Sequence, residues 1–213
     1  MAKAYIHEQG KEVPITLPIK NNPISLHFLL ATIGRPTLKN MVDSIIPQLQ
    51  KQDYLTIVFD GPDKIGPFNP TLYQEELKTR TQATVQVIVE PTNLGAWGHA
   101  IRTKHRQLPG NYVLHCDDDD IYVKGSIALL RSVCTDPDAL YVFQMLLNKR
   151  PIPSSRNIRL GNIGTPNGAI PTKYNSQATW PLIGGGDASF YTDIAKMVKR
   201  VIYVNHVIYI VRP

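Results

Sequence analysis

Four consecutive aspartates, Asp117 to Asp120, are the residues of this sequence best suited to chemistry. They follow Tyr112 to Cys116, a short apolar segment typical of a buried strand. Carboxylates crowded at a strand end repel one another unless a cation is present, and oxygen ligands suit Mg²⁺, Mn²⁺ or Ca²⁺. The cluster therefore predicts a divalent-metal site. The alternative interpretation is a solvated acidic turn before the next helix.

Polar residues also follow three other segments that are predicted to be strands. Thr32 and Arg35 come after the first, Asp60 after the second, and Asn93 and Gly95 after the third. Ligands of open α/β sheets collect at the carboxyl ends of the strands, so we expect these residues to meet the aspartates at one edge. Taken singly, Asp60 can be a turn residue and Arg35 a surface residue.

Alternating strand-like and helix-like segments must position these side chains. Short apolar runs predict strands over residues 25–32, 55–59, 85–89, 112–116 and 140–147. Amphipathic spacing predicts helices over residues 38–49, 94–107, 125–134 and 187–200, and Pro47 should kink or shorten the first. This alternation predicts an α/β fold with a central, mostly parallel, mixed sheet flanked by helices.

The two ends of the chain and one internal region differ from this pattern. Residues 1–23 form a polar, proline-containing lead, and residues 201–211 predict one or two last strands. Residues 151–186 are rich in Pro, Gly, Ser and Asn, which predicts long loops or a small irregular hairpin. The end at Arg212 and Pro213, directly after an apolar run, suggests a domain cut from a longer polypeptide.

Composition excludes several classes of protein. With 213 residues, 43% hydrophobic and 19% charged, the chain is expected to fold as one globular domain. Its apolar runs are too short to cross a bilayer, and its N-terminus lacks the apolar region of a signal peptide. Two cysteines, Cys116 and Cys134, are expected to be buried free thiols in a reducing compartment. We therefore expect a cytoplasmic protein without a transmembrane segment.

The net charge of +6 is concentrated at the C-terminal end. Residues 151–213 contain seven basic and two acidic residues, whereas the aspartate cluster gives the preceding region an acidic bias. A basic chain suits anionic partners such as nucleotides, nucleic acids or acidic membranes. The aspartate cluster argues against a nucleic-acid surface, so no nucleic-acid partner is expected, and a nucleotide- or nucleic-acid-binding module remains the alternative.

Three segments, LLATIGRPTLKNMVDSIIPQ, LTIVFDGPD and NLGAWGHAIRTKHRQLPGNYVLHCDDDDIYVKGSI, resemble in order and spacing the nucleotide-sugar glycosyltransferases of the A-type fold, particularly family 2-like enzymes. The resemblance covers Ser25 to Leu130 well and the remainder loosely. It implies a single Rossmann-like domain, with residues 1–120 as the nucleotide-sugar half and residues 121–213 as the acceptor half. The compact size is also similar to glycosyltransferase domains encoded by large algal (chlorella) viruses.

The resemblance implies roles at the donor site. Thr32, Arg35 and Asp60 would hold the base and ribose of a UDP-sugar. Asn93, Gly95 and Arg102 would line the nucleotide pocket, with Arg102 placed to meet phosphate.

The resemblance also implies a metal centre. Four aspartates allow two registers of an Asp-x-Asp motif, and the family pattern favours Asp117 and Asp119, with Asp119 as the main ligand of Mn²⁺ or Mg²⁺. Asp117 and Asp118 would also contact the nucleotide sugar. His206 is a candidate third metal ligand, and its alternative is a core histidine.

The resemblance further implies a carboxylate on the acceptor side, in a loop before a helix. Asp187, which follows Gly184 to Gly186, would act as general base on the acceptor hydroxyl in an inverting displacement, or stabilise the reacting carbon in a retaining one. Its alternative is to cap the following helix. Trp180 is a candidate for stacking on a pyranose or for ordinary core, and Trp97 is expected in the core.

These residues predict a metal-dependent glycosyltransferase. It would move a hexose or deoxyhexose, of the glucose or rhamnose type, from a UDP-sugar to a carbohydrate hydroxyl of a glycan or glycoprotein. A sugar-phosphate nucleotidyltransferase is disfavoured, because the residues Ile33 to Pro36 lack its glycine-rich signature. If the chain is viral, the compartment is the host cytoplasm.

Overall fold

A computed structural model describes residues 4–8, 11–15 and 24–213, which form eleven strands and six α-helices. The strands are β1 (Ala4–Glu8), β2 (Lys11–Ile15), β3 (Leu26–Thr32), β4 (Tyr54–Phe59), β5 (Thr84–Val89), β6 (Tyr112–Asp117), β7 (Ile121–Tyr122), β8 (Ala139–Leu147), β9 (Arg150–Ile152), β10 (Gly168–Pro171) and β11 (Arg200–Ile210). The helices are α1 (Leu38–Ile45), α2 (Pro70–Arg80), α3 (His99–Lys104), α4 (Ser126–Val133), α5 (Thr172–Asn175) and α6 (Gly186–Met197).

One mixed sheet forms the centre of the molecule. Its strand order is β2-β1-β11-β8-β10-β6-β3-β4-β5, and the short strands β7 and β9 pair with β11 and β8. Strands β6, β3, β4 and β5 are parallel, as are β8 and β11. Every residue of β3 is buried, because helices and loops cover both faces of the sheet, and this explains its continuous apolar sequence. The predicted α/β class with a central sheet flanked by helices is confirmed.

The parallel block brings the ends of three strands together. In its register Thr32 at the end of β3 is opposite Phe59 at the end of β4, and Ala31 is opposite Asp117 at the end of β6. The residues that follow these strands, including Asp60, therefore start from the same edge of the sheet.

The predicted loop region over residues 151–186 contains a central strand instead. Strand β10 has only four residues, all buried, and lies antiparallel between β8 and β6. Its sequence, GAIP, begins with glycine, ends with proline and is too short for a periodic signal. Long loops or a small irregular hairpin were predicted over this region, and this central strand was not, because neighbouring strands rather than local preference specify it.

The helices agree with the predicted ones in place but not always in length. α1 ends at Ile45 and continues as a 3₁₀ turn over Ile46–Gln48, as expected from Pro47. α3 begins only at His99, because the residues before it have positive φ angles. α2 was not predicted, since it buries only Tyr73 and Leu77 and has no apolar stripe.

The N-terminal lead contains two strands that the sequence did not predict. β1 and β2 pair antiparallel, and β1 also pairs with β11. The rest of residues 1–23 lies outside the described residues. In the part of the chain that the structure describes, no helix combines the length and apolar character needed to cross a membrane. Cys116 and Cys134 are both buried free thiols, as predicted.

Candidate active site

A cleft of about 540 Å³ lies at the carboxyl edge of the sheet and contains most of the predicted site residues. Thr32, Arg35, Asp60, Gly95, Asp117, Asp118, Asp119 and Asp187 all line it. Asp120, the last residue of the predicted aspartate cluster, lines it as well, and so do Trp97 and Arg212, for which no site role was predicted. The structure therefore brings together the residues that follow the parallel strands with those that precede α6.

Asp118 is held by the protein itself. Its carboxylate is almost fully buried and accepts hydrogen bonds from Thr32 Oγ1 at 2.6 Å, from the Ile33 N–H at 3.2 Å and from Arg35 Nη1 at 2.6 Å. These three donors occupy the carboxylate and connect the end of β3 to the end of β6. Asp118 therefore organises the cleft floor and has little capacity left for a ligand.

Asp117 pairs with a buried arginine from below. The Arg102 guanidinium, fully buried, donates to the Asp117 carboxylate, to the Cys116 carbonyl at 3.0 Å and to the Trp97 carbonyl at 3.0 Å. The Asp117 side chain remains 32% exposed toward the cleft. Arg102 was expected to line the nucleotide pocket and meet phosphate. The structure instead places it beneath the cleft floor, where it positions Asp117.

Asp119 and Asp120 differ in their surroundings. The Asp119 side chain is 20% exposed and lies 3.5 Å from Arg35 Nη1 and 3.1 Å from Arg212 Nε. Asp120 is buried and accepts a hydrogen bond from the Arg212 backbone N–H at 2.8 Å. Burial raises the pKa of Asp120 to about 7. Among the four aspartates, Asp117 and Asp119 are thus the two whose carboxylates are part-exposed in the cleft.

These two carboxylates fit a hard divalent cation that other oxygen ligands complete. Mg²⁺ is commonly bound through one or two carboxylates together with water and substrate phosphates. Within residues 4–8, 11–15 and 24–213, no group of three or more histidine, cysteine or acidic side chains is arranged to hold a metal ion. A cation at Asp117 and Asp119 therefore requires water or a bound phosphate to complete its coordination.

His206 is not brought to this cleft. It is exposed at an irregularity of β11 between Val204 and Val207, opposite the middle of β8. The cleft is lined at the end of β11 by Val211 and Arg212 instead. Sequence reasoning missed Arg212, because only the register of β11 against β8 shows that its last residues reach the aspartates.

Asp60 shapes the loop at one end of the cleft. Its carboxylate accepts hydrogen bonds from the Leu94 N–H at 2.6 Å and the Gly95 N–H at 3.0 Å. Asn93 is exposed and donates to Asp63 at 3.1 Å, so it lies beside this loop without lining the cleft. Gly61 has a φ of 102°, a backbone conformation that residues with a Cβ atom rarely adopt, which explains the glycine there.

Asp187 lies in the first turn of α6 and lines the cleft. Thr165, in a 3₁₀ turn over Thr165–Asn167, donates to Asp187 Oδ1 at 2.8 Å. The N-cap residue of α6 is Gly185, and no side chain caps that helix. Asp187 is therefore not the N-cap, and its second carboxylate oxygen has no protein hydrogen-bond partner among the described residues.

The structure selects one of the two alternatives for Trp180 and differs from the prediction for Trp97. Trp180, a candidate for sugar stacking or for ordinary core, is 1% exposed and stacks on Phe190 with a ring separation of 3.9 Å, so it is a core residue. Trp97, expected in the core, is 72% exposed and lines the cleft. Both follow irregular segments, where hydrophobic periodicity gives no signal of burial.

The sequence matches no family model and no curated protein. The structure is similar to TarS residues 1–349 of S. aureus, with a TM-score of 0.67, 17% identity and coverage of 88% of this chain and 60% of that one. A complex of the same protein with UDP-GlcNAc has a TM-score of 0.66 and 16% identity, with coverage of 88% of this chain and 58% of that one. The mannosyltransferase PcManGT from Pyrobaculum calidifontis, in complex with GDP-Man and Mn²⁺, has a TM-score of 0.69 and 17% identity. The match covers 92% of this chain and 59% of that one.

These similarities confirm the A-type glycosyltransferase fold. At this level of identity they show a shared fold alone. The chain spans less than two thirds of each of these structures. Nothing in them supports a viral origin.

Proposed function

We propose that this protein is a metal-dependent glycosyltransferase that moves a hexose or deoxyhexose, of the glucose or rhamnose type, from a UDP-sugar to a carbohydrate hydroxyl of a glycan or glycoprotein. The observation that carries the proposal is that two part-exposed carboxylates, Asp117 and Asp119, share one cleft with a third, Asp187. The bound nucleotide sugars and Mn²⁺ of the similar structures support it.

The donor end is assigned to the side of the cleft with Asp60 and the aspartate cluster. Asp60, Thr32 and Gly95 line that side and would contact the base and ribose. Asp117 and Asp119 would hold Mn²⁺ or Mg²⁺, which supplies positive charge to the departing nucleoside diphosphate. The Arg35 guanidinium, whose Nη1 lies 3.5 Å from the Asp119 carboxylate, would add a second positive charge beside the phosphates.

The acceptor end is assigned to Asp187. Thr165 bonds Asp187 Oδ1, so Asp187 Oδ2 is available. This oxygen would take the proton of the acceptor hydroxyl as that hydroxyl attacks the sugar. The Thr165 hydrogen bond fixes the orientation of the carboxylate. Direct attack from this side gives inversion, and a retaining outcome would instead use Asp187 to stabilise positive charge on the reacting carbon.

The nucleic-acid-binding alternative is less well supported. Of the seven basic residues of the C-terminal third, several are in ion pairs with acidic side chains. These pairs are Lys173 and Lys199 with Asp138, Arg200 with Asp136, and Lys196 with Asp193. Such pairing weakens the positive surface that phosphate backbones require.

Calorimetric titration tests the proposal. UDP, GDP and their hexose derivatives are titrated with and without Mn²⁺ into the wild type, Asp119→Ala and the control Asp193→Ala, which removes an exposed carboxylate on α6 outside the cleft. We expect Mn²⁺-dependent binding of UDP-sugars that Asp119→Ala weakens at least 10-fold and Asp193→Ala leaves unchanged. Preference for GDP-sugars would correct the donor. A wild type that binds no nucleotide would overturn the proposed function.

A further inference from the structure

Trp97 is exposed at the mouth of the cleft although it is one of the most hydrophobic side chains of the protein. Its side chain is 72% exposed and lines the cleft. An exposed indole leaves a large apolar area in contact with water, which is unfavourable. A tryptophan exposed in a cleft is therefore a feature typical of ligand contact. Packing within the protein does not explain the position of this ring.

The backbone under Trp97 is held in an unfavourable conformation. Gly95, Ala96, Trp97 and Gly98 have φ angles of 67°, 54°, 53° and 79°, so two residues with side chains occupy the left-handed region. That region disfavours side chains and is adopted only where surrounding contacts impose it. Such strain is concentrated at binding and catalytic sites.

Two contacts fix this turn on the cleft floor. The Trp97 carbonyl accepts the hydrogen bond from buried Arg102, which also pairs with Asp117. Gly98 approaches the floor so closely that a Cβ atom would lie 2.8 Å from the Ala31 side chain. The turn therefore has one position relative to the aspartates, and the indole is presented from a rigid base.

Contacts connect the turn that carries Trp97 to both the donor and the acceptor side of the cleft. Gly95, two residues earlier, donates to Asp60. On the other side, the Trp97 ring centroid is 6.4 Å from that of His99, whose Nδ1 lies 2.8 Å from the Pro181 carbonyl. Pro181 begins the loop that leads to Asp187. Trp97 and Asp187 line the same cleft, so an acceptor bound at Asp187 can extend toward the exposed indole.

We propose that Trp97 is the stacking platform for a pyranose ring of the carbohydrate acceptor. The C–H face of a pyranose would cover the exposed indole face, while its hydroxyl groups remain free for Asp187. Leu182 and Ile183 are also exposed, in the loop before Asp187. This assignment rests on the proposed function, because it names the acceptor subsite of that reaction.

Tryptophan fluorescence gives a direct test. The chain has two tryptophans, and Trp180 is buried, so acrylamide quenching reports mainly on Trp97. The probes are maltotriose, cellotriose, chitotriose and mannotriose, followed by a glycan array, each with UDP and Mn²⁺ present. We expect at least one glycan to protect the fluorescence from quenching. Trp97→Ala should weaken binding of that glycan at least 10-fold, and Trp97→Phe should retain most of it.

A matched control and a donor measurement separate the outcomes. Leu72→Ala removes another exposed apolar side chain, on α2 outside the cleft, and should leave glycan binding unchanged. Protection by UDP and Mn²⁺ alone, protection by lipid vesicles without any glycan, or no glycan on the array that protects Trp97 would each overturn the assignment. If nucleotide binding persists in these cases, the proposed function stands and only the acceptor subsite fails.

Discussion

The buried guanidinium of Arg102 connects the carboxylate of Asp117 to the carbonyl of Trp97. One side chain from α3 thereby fixes a part-exposed carboxylate and the strained turn on the facing wall. Two backbone carbonyls and one carboxylate accept hydrogen bonds from its two terminal nitrogens, whereas its buried Nε has no partner among the described residues. A charge is tolerated in a protein interior when it is paired and hydrogen-bonded in this way.

Replacing Arg102 by methionine should therefore affect both stability and ligand binding. Removing one partner of a buried ion pair is strongly destabilising, and since Asp117 keeps some solvent contact we expect a loss of about 3 kcal/mol in the free energy of unfolding. Urea denaturation measures this change. The matched control is Arg106→Met, which removes only a 3.4 Å contact to Thr179 and should cost less than about 1 kcal/mol. Equal effects of the two variants would contradict the role of Arg102.

The register of the Asp-x-Asp motif can be tested by comparing adjacent aspartates. Asp118→Ala removes three hydrogen bonds within the protein, so we expect it to lower the free energy of unfolding by about 2 kcal/mol. Asp119→Ala removes a carboxylate that contacts only exposed arginines and should leave stability within about 0.5 kcal/mol. Thermal or urea denaturation of both variants distinguishes them. A large loss for Asp119→Ala and none for Asp118→Ala would favour the other register.

Much of this site could be predicted from the sequence, because its residues follow strands whose apolar runs are unambiguous. Thr32 and Asp117 end β3 and β6, Asp60 follows β4, and parallel pairing alone brings them to one edge. The sequence could not show that Asp118 would be buried and Asp117 part-exposed. In a turn, unlike in a strand, side chains do not alternate regularly between a buried and an exposed face.

Other features depend on tertiary contacts that leave no local pattern. β10 is specified by its neighbours β8 and β6, and His206 is displaced from the cleft by the irregular pairing of β11. The exposure of Trp97 depends on four consecutive positive φ angles, and the burial of Trp180 depends on stacking with Phe190. Residue type alone does not predict either arrangement.

Asp187 and Thr165 should separate transfer from donor binding. We expect Asp187→Asn to reduce glycosyl transfer by about 10²- to 10⁴-fold, because an amide does not take the proton of the acceptor hydroxyl. Thr165→Val removes the hydrogen bond that orients the carboxylate and should reduce transfer by about 10-fold. Both variants should bind the nucleotide sugar and Mn²⁺ as the wild type does. Radiolabelled sugar transfer and calorimetry measure the two quantities, and transfer at the wild-type rate in Asp187→Asn would exclude it as the base.

His27 should make the stability of the fold depend on pH. Burial lowers the pKa of His27 to about 4, against 6.5 for the free side chain, while its ring nitrogens bond the Pro109 carbonyl and the Thr56 hydroxyl. Because the unfolded chain takes up a proton on this residue at a higher pH than the folded one, stability is lost as the pH falls from about 6.5 toward 4. The two pKa values correspond to about 3 kcal/mol over that interval. Urea denaturation between pH 7 and pH 4.5 measures the loss.

The variant His27→Gln isolates this contribution from those of the carboxylates. Glutamine keeps a donor and an acceptor but has no proton to take up in this range. We expect the variant to be less stable than the wild type at pH 7, because the amide only partly replaces the two hydrogen bonds, and its stability to change less between pH 6.5 and pH 5. Asp120, whose pKa is about 7, also titrates in this interval, but it is present in both proteins, so a difference in slope between them belongs to His27. Parallel curves for the two proteins over this interval would show that His27 is protonated equally in the folded and unfolded chains.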